Sequence, residues 1–189
     1  MIPLLLGVLD SAKSGHLDAH VLLQSQTVGA GGAASITFSS IPQGYRALQL
    51  RSYAQSARSS GIEYDDMAIV FNSDASNNYS NHHLYGNGAS ASSDSRVSAP
   101  NIILYSGFGD QYAGSWWAPS IVDIIDYANS SKSKTLRAIN GTTTNGSSVQ
   151  LELCSGAWMS LSAVTSITIS ATTGSAITQY SRFDLYGIA

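Results

Sequence analysis

Charge is what this chain has least of. Asp, Glu, Lys and Arg together make up 11% of its 189 residues, against about a quarter in ordinary soluble domains. The net charge is −3, so there is no basic surface to displace counterions from a phosphate backbone, which excludes a nucleic-acid binder. Scarce Glu and Lys exclude a coiled coil. Cys154 is the one cysteine, which excludes an internal disulfide framework and a cysteine-based zinc site; it reads as a small packing residue. Glu63 and Glu152 are the only glutamates, and nothing in their spacing pairs them as glycoside hydrolysis requires. There is no G-x-S-x-G elbow, phosphate loop or dinucleotide fingerprint. Gly29 to Gly32 lies between strand patterns rather than ahead of a helix. No catalytic residue, cofactor or metal ligand set is expected, and the chain is not read as an enzyme.

Long apolar runs are also missing, with one exception at Ile2 to Leu9. That run is far too short to span a bilayer, and it lacks the basic flank and small-residue cleavage site of a signal peptide. Pro3 followed by Leu4 to Lys13 predicts a short helix stopped at Gly15. A stretch this apolar must be covered, either by its own domain or by a neighbour into which it inserts, and in an otherwise polar chain the neighbour is favoured. Residues 1–19 are therefore read as an arm attached to a domain over 20–189, with Ile2, Leu4, Leu5, Leu6, Val8 and Leu9 as its partner-binding side chains.

What fills the rest is a small-residue vocabulary of Ser, Thr, Asn, Gly and Ala, broken by short apolar alternations. Strands are predicted at Val21 to Thr27, Ala34 to Phe38, Ala47 to Tyr53, Met67 to Asn72, Tyr79 to Tyr85 and Ile102 to Tyr105. Trp116 to Ala128, Thr135 to Ile139, Val149 to Cys154, Thr165 to Ala171 and Tyr180 to Ile188 follow. Gly86 to Ser98 and Gly107 to Gly114 read as exposed loops. Trp116 to Ala128 carries apolar residues on both parities and is expected to be covered on both sides. In the last strand Phe183 and Leu185 are expected to face inward, on a central strand. About ten short strands and no internal helical period predict an all-β fold, a jelly-roll-like antiparallel sandwich preceded by the short arm. With so little charge to defend its edges, such a sandwich is expected to pair with copies of itself or with another protein.

Few residues could carry chemistry. His82 and His83 are adjacent on a strand and so point to opposite faces, which argues against a shared metal ion. Glu63, Asp65, Asp66 and Asp74 could gather oxygens for calcium, but in turns Asp and Asn usually serve the backbone. Tyr105, Tyr112, Trp116 and Trp117 form an aromatic group beside two loops, suited to core packing, to an interface or to a glycan platform.

Certain stretches, taken in order, resemble a group of tailed-bacteriophage virion proteins. They are Phe38-Ser-Ser-Ile-Pro42, the strand Tyr45-Arg-Ala-Leu-Gln-Leu-Arg51, and Asn72 through Asn78-Tyr-Ser-Asn-His82. They continue with Ile121-Val-Asp-Ile-Ile-Asp-Tyr-Ala-Asn129, Lys134-Thr-Leu-Arg137, Asn145-Gly, Ser155-Gly-Ala-Trp158, Ile167-Thr-Ile169 and Ser181-Arg-Phe-Asp-Leu-Tyr-Gly-Ile188. The resemblance covers about Val21 to Ala189 and implies a β-sandwich particle protein without catalysis. The expectation is a capsid decoration, or cement, protein on the virion surface. It would be a homotrimer bound to other virion proteins such as the major capsid protein, with no nucleic-acid or membrane partner. The alternative is a tail-fibre or baseplate component that binds a host surface glycan, for which Trp116-Trp117 and the two glycine-rich loops speak.

Overall fold

The computed structural model describes residues 19–59, 64–109, 116–143, 149–173 and 176–189. The predicted arm residues Ile2, Leu4, Leu5, Leu6, Val8 and Leu9 and the predicted helix lie outside them. Twelve strands and no helix make up the described residues. They are β1 (His20–Thr27), β2 (Ile36–Phe38), β3 (Ala47–Ser56), β4 (Tyr64–Phe71), β5 (Tyr79–Gly86) and β6 (Ala91–Ala99). The rest are β7 (Ile102–Gly109), β8 (Ala118–Ile125), β9 (Lys134–Thr143), β10 (Val149–Trp158), β11 (Ile167–Ala171) and β12 (Arg182–Ile188).

They form two antiparallel sheets packed face to face. The larger runs β1-β12-β3-β8-β9-β10-β5-β6 and the smaller runs β2-β11-β4-β7. The end of β3 also pairs with the end of β7 in parallel, Gln55 with Phe108 and Ser56 with Gly109, which joins the two sheets at one corner. Successive strands cross between sheets from β1 to β4, β5 and β6 then extend the far end of the larger sheet, and β9 and β10 fill the gap between them and β8.

The core forms where the period-two apolar positions of the two sheets meet. Leu48, Leu50, Val122, Ile124, Phe183 and Leu185 from the larger sheet face Phe38, Met67, Ile69, Phe71, Leu104, Ile167 and Ile169 from the smaller one, all buried. β12 lies between β1 and β3, as its sequence pattern requires, with Phe183 and Leu185 fully inside. Two close approaches tie backbone to side chain. A Cβ at Gly187 would meet the Tyr45 ring at 2.6 Å, and one at Gly156 would meet Ile102 at 2.9 Å.

Several stretches that carry the phage resemblance brace one another. Tyr127 is fully buried and its hydroxyl donates to the Pro42 carbonyl. Asn72, in the left-handed region that Asn tolerates (φ 52°), accepts from the backbone N–H of Thr165 and Ser166 and donates to Ala163 O at 2.8 Å. The Phe71 N–H donates to the Tyr79 hydroxyl, which in turn donates to Asp74 O. Asp74 accepts from Ser76 N, Asn78 Nδ2 and Trp158 Nε1. The Asn78 and Ser76 donors hold its carboxyl well below the usual range.

Three expectations are overturned. The loop expected from Gly107 to Gly114 does not start at Gly107, because β7 runs to Gly109 with both glycines buried, and residues 110–115 lie outside the described ones. Gly86 to Ser98 is not an exposed loop: β6 occupies Ala91–Ala99 and pairs with β5. Its run of Ser, Ala and Asp shows no apolar period because it is an edge strand with almost every side chain exposed. β8 is not covered on both sides. Val122 and Ile124 are buried, whereas Ile121 and Ile125 are about half exposed, at 48% and 44%.

Candidate functional site

The strands beyond β8 break the ordinary rule for a half-buried sheet, in which polar residues face outward. On β10 the polar side chains Gln150 and Glu152 face the interior with Cys154, while Leu151 and Leu153 point to solvent. Two sites follow from this inversion, one buried and one exposed.

The buried site centres on Glu152. Its Oε1 accepts from His83 Nδ1, and its Oε2 accepts from the Tyr105 N–H at 2.8 Å and from Asn140 Nδ2. Asn140 accepts in turn from the Ser120 hydroxyl, and Asn81 Nδ2 donates to His83 Nε2. His83 and Cys154 are directly opposite on β5 and β10, and Glu152 follows two residues along the same face. Ring stacking on Tyr105, at 4.8 Å between centroids, closes the top of the imidazole. The Tyr105 hydroxyl donates to Asp94 Oδ2 at 3.1 Å.

Ligand atoms of His83, Glu152 and Cys154 all lie within 4.8 Å of one another, which makes them the residues that could hold a metal ion. Each of those atoms already has a hydrogen-bond partner. Cys154 donates to the Ile103 carbonyl at 3.8 Å, and burial raises its thiol pKa well above the ordinary value. Asp66, on β4, is also shifted. Burial, with Asp65 and then Glu152 as like charges, pushes its carboxyl up to about 6.

The exposed site is the outer face of the same strands. Ile121 on β8 pairs with Ile139 on β9, Ile139 with Leu153 on β10, and Leu153 with Leu84 on β5. These four side chains form one straight row across four strands, 48%, 58%, 50% and 54% exposed. Leu151, in the adjacent row on β10, widens it on one side. Directly opposite residues in a sheet stand about 5 Å apart, so the row is a continuous apolar stripe. The neighbouring row runs Asp123, Arg137, Ser155, His82 across the same strands. Arg137 Nε donates to Asp123 Oδ2 at 3.1 Å, and Gln49 Nε2 donates to Asp123 Oδ1 at 2.8 Å.

Of the aromatic group read from the sequence, Tyr112 lies outside the described residues. The rest divide into two places. Tyr105 packs with Tyr64, Tyr85 and His83. Trp117 packs with Tyr53 at 5.9 Å and Tyr180 at 6.4 Å, its Nε1 buried with no hydrogen-bond partner among the described residues, and Trp116 is partly exposed beside it. His82 and His83 point to opposite faces, one exposed and one buried, as adjacent strand residues must. In the expected acidic group, Glu63 lies outside the described residues, Asp65 accepts from the Asp66 and Thr173 N–H groups, and Asp74 serves its own turn. The sequence reading missed the apolar row. Its signal was present in the parity of Ile121, Ile139, Leu151 and Leu153, but parity alone does not say which face is inward.

No family model matches this chain, and no curated protein matches it either.

Proposed function

We propose that this protein is a non-enzymatic structural component of a tailed-bacteriophage virion, a capsid decoration protein that binds by surface burial. The observation that carries an assembly role is the row Ile121–Ile139–Leu153–Leu84. Contiguous apolar patches of this kind on soluble domains mark interaction surfaces. The phage assignment rests on the ordered resemblance given above. The strand order, β1-β12-β3-β8 against β2-β11-β4-β7, supports a jelly-roll reading, a fold used by viral capsid proteins. On this reading β5-β6 and β9-β10 are insertions that widen one sheet. Bracing contacts among the resembling stretches suit a conserved scaffold rather than a conserved reaction.

In this reading Ile2, Leu4, Leu5, Leu6, Val8 and Leu9 attach the domain to the shell. The test is a full-length Leu5→Asp/Leu9→Asp double variant added to particles stripped of the protein. It should melt like wild type and fail to rebind; normal rebinding would remove the attachment role. The glycan-binding alternative is weaker, because Tyr105 and Trp117 are engaged in separate ring clusters rather than presented on one platform.

A further inference from the structure

We infer that the apolar row is a two-fold interface at which a second copy of this chain lays the same face against it. The inference rests on the assembly reading and names the partner of that surface. Area is the first argument. At roughly 100 Å² of apolar surface for each half-exposed Leu or Ile, the row with Leu151 offers about 500 Å² per copy. A polar rim brings that near the roughly 800 Å² per partner of a standard stable interface.

Self-complementarity is the second argument. Consider a two-fold axis in the plane of contact, running along the strands between β9 and β10. It sets Ile139 of one copy over Leu153 of the other and Ile121 over Leu84, so the row falls entirely on itself. Under the same operation the neighbouring row sets Asp123 of one copy over His82 of the other and Arg137 over Ser155. An acid therefore meets an imidazole at each end, and no like charges are opposed. Such an isologous contact closes at two copies. Face-to-face sheets pack with their strands within about 30° of one another, which the axis allows. The pairing is two-fold, where the sequence reading expected a trimer.

The test is sedimentation equilibrium on the full-length chain over micromolar to millimolar concentrations, with circular dichroism and melting as fold controls. The expected result is a monomer–dimer equilibrium. Ile139→Arg and Leu153→Arg should each give a folded monomer. His82→Asp should weaken the pair by about tenfold through repulsion with Asp123, and His82→Arg should tighten it. A full-length Leu5→Ser/Leu9→Ser variant should dimerise as wild type does. A monomer at every concentration overturns the proposal, as does a trimer. Loss of dimer in the Leu5/Leu9 variant assigns the face to the arm and overturns it too. Indifference to both His82 variants overturns the two-fold register. Because rebinding to particles is measured separately, a monomer that still rebinds would assign the face to the shell protein, rejecting this pairing while the assembly reading stands.

Discussion

At Glu152 the chain accepts the cost of a buried carboxylate and offsets it with donors from three directions, His83, Asn140 and the Tyr105 backbone. Removing His83 leaves Oε1 of that carboxylate without its donor, so His83→Ala should destabilise the fold by about 1–3 kcal/mol in chemical denaturation. In the same network the ligand atoms of His83, Glu152 and Cys154 already have hydrogen-bond partners. Melting with and without EDTA should therefore give one temperature, and a clear fall with EDTA would assign a metal to this cluster instead. Asp66 gives a pH dependence of definite sign. Its carboxyl titrates near 6 in the fold against 3.8 unfolded. Its stabilising contribution is thus fully present below about 3.8 and is lost as pH rises through about 6. Asp66→Asn should gain stability over wild type progressively from pH 4 to 7; a difference that does not vary with pH would remove Asp66 from the account. None of this was legible in the sequence. Asn81, His83, Asn140 and Glu152 are scattered over three strands, and only the register of β5, β10 and β9 brings them together.

At the scale of elements, legibility followed the contrast between faces. β11 and β12 could be read directly because Ile167, Ile169, Phe183 and Leu185 alternate with polar residues and face inward. β12 is flanked on both sides, so Phe183→Ala and Leu185→Ala should each cost about 2–5 kcal/mol. Denaturant midpoints equal to wild type for both would move the strand to the periphery. Gly187 on the same strand lies against the Tyr45 ring, and Gly187→Ala should cost about 1–3 kcal/mol by overpacking, visible as a lower melting temperature. β6 could not be read at all, since its polar side chains say nothing of the hydrogen-bond ladder that β5 supplies. β10 alternates as clearly as β11 with the opposite sense. Its leucines face out because the inward positions are taken by the Glu152 network. That single inversion hid the exposed row, and β8 misled for a related reason, its second apolar face being outer surface.

For the whole molecule, the fold places its unusual features on one half of one sheet. Where β1-β12-β3-β8 of the larger sheet faces β2-β11-β4-β7, the sandwich has a conventional apolar core. Strands β9, β10 and β5 carry most of the buried polar network and, on the reverse, Ile139, Leu153 and Leu84, a row that Ile121 on β8 extends. Rigid backing by a hydrogen-bonded interior suits a surface that must stay flat for docking, because a preorganised face loses less entropy on binding. The central claim is that this surface and the attached arm build a particle. Quantitative mass spectrometry of particles purified from the source of this chain tests it most directly. The account predicts the chain at a fixed stoichiometry comparable with the major capsid protein. Absence from the particle would contradict it, and a few copies set by the tail would contradict the decoration role.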